Sequence, residues 1–203
     1  MTIAWFIFAS SGMFTARYGK GIEKKLFGKD IWFPIHQFCM SMTWILTMLA
    51  LVTIFIEKKS DPLQRSSIKI NAHGFVGLIA SILTFVQPFM AFIRPGPNSS
   101  KRKLFNVSHF SVGMVAMILS ITAVILVTRL KSLKIQHDSA LYVAIAFAGF
   151  YIVFHTLLTL ISHLIHDKNT RNKFVITLLV IGALVGTSLA AVMIFYIVKG
   201  QST

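Results

Sequence analysis

The sequence predicts an all-α integral membrane protein, a bundle of six transmembrane helices. Of its 203 residues, 55% are hydrophobic and only 13% are charged, whereas a soluble domain carries about 25% charged residues. The charges also cluster between long apolar runs, and an apolar run that crosses lipid must be helical to satisfy its backbone polar groups. The net charge of +14 does not indicate a nucleic-acid partner, because the basic residues fall in short loops beside the predicted spans, where positive-inside bias places them.

Six apolar stretches define the predicted helices, at residues 1–16, 33–56, 70–93, 105–128, 139–165 and 174–198. The polar connectors are short, so we expect antiparallel neighbours in one transmembrane domain over residues 1–198, with a tail at 199–203. The first stretch reaches only about 24 Å as a helix, against a hydrocarbon core of about 30 Å. We therefore expect the first helix to be cut short at its N-terminal end, and we find no signal-peptide pattern in it.

Loop charge predicts the topology. The first, third and fifth connectors, together with the helix ends beside them, hold twelve basic residues, and the second, the fourth and the tail hold eight. This bias places the first, third and fifth connectors in the cytoplasm and both termini outside. The single cysteine, Cys39, excludes an intramolecular disulfide and a multi-cysteine metal site, and within a span it is expected to be a small apolar side chain.

Three histidines, His36, His73 and His109, each lie a few residues inside a predicted span. An ionisable residue in a membrane is costly and normally has a partner. His36 and His109 lie about four or five residues in from the predicted cytoplasmic face, at similar depth, whereas His73 lies near the opposite surface. A pair of imidazoles from facing helices can take both axial positions of a haem iron. The alternative is that each histidine hydrogen-bonds a backbone carbonyl or a polar neighbour.

Other residues in the spans leave more than one interpretation open. Gly74, Gly77 and Gly113 allow close approach of a macrocycle or of another helix, and Gln87-Pro88 is expected to kink the third helix.

His155 could be a further ligand, a proton carrier or a satisfied core histidine. His163 and His166 are expected at the interface, and His137 in a loop. The last span has no residue that is charged at neutral pH between Lys173 and Lys199 and is expected to face lipid or to pack.

Several spaced motifs carry a resemblance to a known family. They are Ala4-Trp5 with Ala16-Arg17-Tyr18, Trp32-Phe33-Pro34-Ile35-His36, His73-Gly74 with Gln87-Pro88, and Arg94-Pro95 leading into Phe105-Asn106-Val107-Ser108-His109. In this order, over residues 1 to about 165, they resemble the cytochrome b561 family. Within it, the likeness is to the membrane region of ferric-chelate reductase 1-type proteins, which carry a DOMON domain.

The resemblance implies a four-helix haem-binding core over about residues 1–129, with helices 139–165 and 174–198 added to it. The family binds two b-type haems through four histidines, paired first with third and second with fourth. His36 then pairs with His109, in agreement with their depth, and His73 matches the third ligand. The family's first ligand precedes the Ala4-Trp5 motif and does not occur in this sequence. We therefore expect one complete bis-histidine haem site here.

The resemblance also implies a direction for electron transfer, from cytoplasmic ascorbate to an outer acceptor such as ferric chelate or monodehydroascorbate. Arg17 matches the basic residue that closes the first helix across the family, and it is the first candidate to contact the donor or a haem propionate. Arg94, Lys101 and Arg102 are weaker candidates. The protein would lie in the plasma membrane or an endomembrane, and a homodimer is an open alternative to a monomer.

Two other function classes fit parts of the sequence. A haem-poor or haem-free helix bundle could serve as a membrane scaffold or partner subunit, and the missing first ligand favours it. A transporter or channel could relay protons through the histidines. Against the transporter, the second to sixth spans carry no carboxylate in their interiors, although proton-coupled transporters commonly use one.

Overall fold

The computed structural model describes residues 1–60, 71–96, 98–130 and 137–201. A π-helical segment Ile3–Ala9 continues into α1, Ser10–Tyr18, and a 3-10 turn Gly19–Gly21 ends it. A two-stranded ribbon follows, with β1 at Lys25–Leu26 and β2 at Lys29–Asp30. The remaining helices are α2 (Trp32–Ser60), α3 (Ala72–Phe92), α4 (Arg102–Val127), α5 (His137–Leu164) and α6 (Lys168–Gln201).

Five helices in the described residues are long and apolar enough to cross a membrane, and they fall within α2 to α6. The N-terminal helix is too short to be one of them, as the sequence predicts. Large apolar side chains such as Phe38, Leu49 and Phe55 are exposed on these spans, which is the pattern of helices bathed in lipid rather than water. The all-α, multi-pass integral membrane class is therefore confirmed.

Two helix boundaries differ from the prediction in ways that matter for the histidines. α4 begins at Arg102, not at residue 105, because a turn in which Arg102 N–H donates to Ser99 O (2.9 Å) starts the helix within the polar connector. His109 is thus the eighth residue of its helix, not the fourth or fifth. His137, predicted in a loop, is the first residue of α5, since apolarity marks where the span begins and not where the helix begins. Loop residues Arg65, Lys69, Lys131 and Lys134 lie outside the described residues.

The chain divides into two compact units, and the first contains residues 1–43 and 128–203. In it the N-terminal helix packs on α5 and α6. The ring of Phe6 stacks on that of Phe147 with centroids 3.7 Å apart, and Phe14 contacts Tyr151 at 5.0 Å. Gly186 of α6 permits this packing, because an added Cβ would lie 2.5 Å from the carbonyl oxygen of Phe6. α6 is therefore a packing helix on this side, one of the two roles expected of it.

The second unit, residues 44–127, contains the rest of α2 with α3 and α4. α3 and α4 lie antiparallel, because the start of α3 contacts the end of α4 and the reverse. His73 Nδ1 donates to the carbonyl of Ala123 (2.8 Å), and Gln87 Nε2 donates to the carbonyl of His109 (3.1 Å). α3 continues through Pro88 to Phe92.

The ribbon between α1 and α2 is a feature that the sequence reasoning missed. Lys25 pairs with Asp30 and Leu26 with Lys29, antiparallel. The two linking residues, Phe27 (φ 52°) and Gly28 (φ 74°), both have positive φ, as a tight two-residue hairpin turn requires. Glycine in the second position is the one local signal, and the short flanks lack the alternating apolar pattern that would reveal strands.

Candidate haem-ligand sites

His36 lies in the second turn of α2, and a hydrogen bond from one of its two ring nitrogens fixes the ring. Nδ1 donates a hydrogen bond to the carbonyl oxygen of Gly12, 3.0 Å away on α1. Gly12 brings the two helices this close, because an added Cβ would lie 2.4 Å from Met40 Cε and 2.8 Å from Cys39 Cβ. With the proton on Nδ1, the lone pair of a neutral imidazole resides on Nε2, the nitrogen that coordinates a metal.

His73 repeats this arrangement in the second unit. It is the second residue of α3, and Nδ1 donates to the carbonyl of Ala123 on α4 at 2.8 Å. The start of α3 is fixed by Asn71, whose side-chain oxygen accepts from Gly74 N–H at 2.8 Å, a standard N-cap. Nε2 of His73 therefore carries the lone pair as well. A Cβ added at Gly77, one turn further along α3, would meet no described atom within 4 Å.

His109 is held differently, through its backbone and its ring face. Its carbonyl accepts from Gln87 Nε2, and the ring of Phe105 stacks on its imidazole with centroids 5.6 Å apart and planes 13° apart. Gly113 lies one turn after His109 in α4 and close to the side-chain amide of Gln87, because a Cβ added at Gly113 would be 3.1 Å from Gln87 Nε2. Gln87 thus has a packing role beside the predicted ligand, in addition to preceding the proline.

Axial ligation of a haem needs fewer protein ligands in one place than direct binding of a metal ion does. Within the described parts of the chain, no group of three or more His, Cys, Asp or Glu side chains is placed to hold an ion. A haem needs only axial ligands from the protein, because the porphyrin supplies four nitrogens itself. A backbone carbonyl on Nδ1 fixes the tautomer and ring orientation and raises ligand basicity, so the donor chemistry of His36 and His73 fits a haem iron. The predicted His36–His109 pairing joins the two units and stays a prediction.

His155 has hydrogen-bond partners, as is expected for a satisfied histidine, one of the three roles considered for it. The hydroxyl of Tyr18 lies 3.0 Å from His155 Nδ1 and 2.7 Å from Thr159 Oγ1. Tyr18 belongs to the Ala16-Arg17-Tyr18 motif, yet its partner is 137 residues away along the chain, so the sequence pattern alone does not reveal the pair. Arg17 lies beside this cluster on the exposed last turn of α1.

The weaker basic candidates form a group of their own after α3. Arg102 Nη1 donates to the carbonyl of Pro95 at 2.5 Å. Burial lowers the pKa of Arg94, and the positive charge of Arg102 lowers it further. Two arginines that repel each other in this way make a local positive field, which suits an anionic contact. Lys101 is exposed.

The known proteins that this chain is similar to are cytochrome b561 proteins and ferric-chelate reductases. The family model described as "Eukaryotic cytochrome b561" matches residues 1–134. A ferric-chelate reductase 1 homolog of Drosophila melanogaster is 33% identical over 162 residues, 79% of this chain and 24% of the relative. Ferric-chelate reductase 1 of Homo sapiens is 30% identical over 154 residues, 75% of this chain and 25% of the relative. A cytochrome b561 and DOMON domain-containing protein of Arabidopsis thaliana is 26% identical over 160 residues, 79% of this chain and 37% of the relative.

The chain spans about a quarter of the length of the animal relatives it matches. No solved structure matches it. The family match covers the N-terminal helix and α2 to α4, which carry the motifs and all three candidate ligands, and ends before α5. On this match over about two thirds of its length, the chain belongs to the eukaryotic cytochrome b561 family.

Proposed function

We propose that this chain transfers electrons across a membrane through b-type haem. The observation that carries the proposal is the repeated arrangement of His36 and His73, each with Nδ1 donating to a main-chain carbonyl of another helix. That hydrogen bond fixes the ring and leaves the lone pair of Nε2 available to a metal. Metal-ligating histidines are commonly held by such a bond from the other ring nitrogen. Family membership supports the same chemistry, because the family binds b-type haem and belongs to the oxidoreductases.

His36 and His109 are the proposed ligands of one haem, and His73 is the proposed ligand of a second. The bound haem supplies the Fe(III)/Fe(II) couple, and its own chemistry does the redox work. The three histidines would hold the iron, and their neighbours orient the rings. Gly12 and Ala123 accept from the Nδ1 atoms of His36 and His73, and Gln87 and Phe105 contact the backbone and ring of His109. All three histidines lie on helices that are long and apolar enough to cross a membrane.

Ascorbate is the proposed donor on the face that carries the α1–α2 connection, and ferric chelate or monodehydroascorbate is the proposed outer acceptor. One electron leaves ascorbate with release of a proton, and one electron reduces the acceptor. Arg17, exposed at the end of α1, is the proposed contact for the anionic donor or a haem propionate. The names of the animal relatives, ferric-chelate reductase 1, support an iron chelate as the acceptor.

The proposal is tested by haem content. In purified protein, His36→Ala and His109→Ala should each remove the ascorbate-reducible b-type absorbance of one haem, because each leaves the iron one axial nitrogen short. His166→Ala is the matched control, since His166 is exposed in the connection between α5 and α6. The measurement is haem per chain and the reduced-minus-oxidised spectrum.

Unchanged haem absorbance in both ligand variants would contradict the assignment of His36 and His109 as haem ligands. A folded wild-type protein without any haem would instead favour the membrane scaffold or partner subunit. Far-UV circular dichroism on every variant separates loss of haem from loss of fold.

A further inference from the structure

The first unit contains an open cavity that none of the three proposed haem ligands lines, although Arg17, the proposed contact for the donor or a haem propionate, is one of its residues. It has a volume of about 250 Å³ and lies between the end of α1, the end of α5 and the start of α6. Asn172 Nδ2 donates to the carbonyl of Gly21 at 2.7 Å, which ties α6 to the turn after α1 at the mouth of the cavity. Two of the three helices that form it, α5 and α6, lie beyond the family match.

The cavity is lined by cations and neutral polar groups. Arg17, Lys20 and Arg171 contribute three positive charges, and no carboxylate is among the lining residues. Two acidic residues lie close to the lining residues along the chain: Glu23 forms an ion pair with Lys168, and the carboxylate of Asp167 accepts from Thr170 N–H. The remaining polar lining comes from five neutral polar residues, Tyr18, Thr159, Ser162, His163 and Asn172. Concentrated positive charge in a concave site focuses the field and attracts anions.

Glycine at position 21 leaves the space over Arg171 open. An added Cβ would lie 3.2 Å from Asn172 Oδ1 and 4.0 Å from Arg171 Nη2. Arg171 is half-buried in the first turn of α6, one residue before Asn172. Its guanidinium lines the cavity, and Asn172, the next residue, is held by the turn after α1.

We propose that this cavity binds a phosphate monoester group. Three cations in one cavity exceed what a monoanion such as ascorbate requires, whereas a phosphate monoester carries about −1.5 to −2 at neutral pH. Arginine guanidiniums match the oxygens of phosphate through paired hydrogen bonds. Such a group could come from the headgroup of an anionic lipid or from a soluble phosphate. The location at the ends of membrane spans favours the lipid, because basic pockets between spans at the cytoplasmic side bind anionic headgroups.

The test is a calorimetric titration of the complete, haem-loaded chain in nanodiscs of neutral phosphatidylcholine. The probes are dioctanoyl phosphatidate, which carries a phosphate monoester, and inorganic phosphate. Arg171→Gln should weaken binding about tenfold by removing charge-assisted hydrogen bonds, and Arg171→Lys should weaken it less. Lys173→Gln is the matched control, because Lys173 is an exposed cation in the same helix that does not line the cavity.

Arg171-dependent binding of phosphatidate with little competition by inorganic phosphate would support the site and identify a lipid source. Arg171-dependent binding of both probes at similar strength would support it with a soluble source. Binding of neither probe, equal weakening by Lys173→Gln, or displacement by equimolar ascorbate would overturn it. The haem spectrum of each sample reports separately on the electron-transfer proposal, so the two can fail independently.

Discussion

A histidine inside a membrane span has two ring nitrogens to satisfy, and this chain satisfies one of them with a helix carbonyl. At His36 the carbonyl belongs to Gly12, and at His73 to Ala123. The alternative to haem ligation, in which each histidine simply bonds to a backbone carbonyl, also predicts this hydrogen bond from Nδ1. The same bond is what an axial ligand requires, because a proton held on Nδ1 leaves the lone pair of a neutral ring on Nε2. At His155 the partner of Nδ1 is instead a side chain, the hydroxyl of Tyr18, and Thr159 bonds to that hydroxyl and to the backbone carbonyl of His155.

The ion pair of Glu23 and Lys168 gives a pH-dependent prediction at the same scale. The hydrogen bond and charge of Lys168 lower the pKa of Glu23 below its usual value of 4.5. Because the folded-state pKa is depressed, the pair stabilises the fold above the unfolded pKa, and this contribution is lost as the pH falls through the folded pKa. Both side chains are exposed, 54% for Lys168 and 78% for Glu23, so the effect on stability should be small.

Lys168→Gln should therefore raise the pKa of Glu23 toward its usual value and change the melting temperature little. Side-chain NMR of labelled glutamate across the acid range measures the shift, and Lys173→Gln, which removes a nearby charge outside the pair, is the control. A melting temperature that falls by many degrees near neutral pH would contradict this, since it would mean that the pair supports more than an exposed contact.

At the scale of elements, glycines decide which helices meet. Gly12→Ala should destabilise the protein by about 1–3 kcal/mol, the usual cost of overpacking, because its Cβ would fall 2.4 Å from Met40 Cε and 2.8 Å from Cys39 Cβ. Since Gly12 also accepts from His36, the variant should lose part of its haem. Gly149→Ala in α5 is the matched control: an added Cβ there meets no described atom within 4 Å, so alanine should leave the stability of the helix unchanged or raise it slightly.

Thermal unfolding in one detergent, followed by absorbance of the haem, compares the two glycine variants. If Gly12→Ala melts together with the wild type and keeps its haem, the close approach of α1 and α2 is not needed to hold His36.

The sequence predicts the helical elements well because long apolar runs admit only one structure in lipid. The apolar pattern locates the spans within a few residues, yet it places the start of α4 too late, since Arg102 and Lys103 are polar and still helical. It also misses the ribbon around Phe27-Gly28. The apolar pattern does not predict the hydrogen-bond partners of the histidines. A contact such as that of Tyr18 with His155 depends on how helices that are distant in the sequence pack together.

For the whole molecule, charge bias and the structure of the first unit make a joint topological prediction. The α1–α2 connection and the start of α6 lie at one end, because Asn172 bonds to Gly21. In a Cys39→Ser background, Asn169→Cys and Lys20→Cys should be labelled from the same side, the cytoplasm, and Lys199→Cys from the opposite side. An impermeant maleimide applied to sealed cells and then to opened ones measures this.

Labelling of Asn169→Cys and Lys20→Cys from opposite sides would contradict the structure of the first unit. Labelling of both from outside would leave that unit intact and reverse the predicted orientation of the protein, and with it the proposed face for ascorbate.

The hydrogen bond from His36 to the Gly12 carbonyl has one more consequence, for the midpoint potential of an iron bound there. A carbonyl that draws on the Nδ1 proton makes the imidazole a stronger electron donor. A stronger donor stabilises ferric over ferrous iron and moves the couple to more negative values. The carbonyl belongs to the main chain of the N-terminal helix, so a small displacement of that helix would retune the driving force for electron transfer without any change in the ligands themselves.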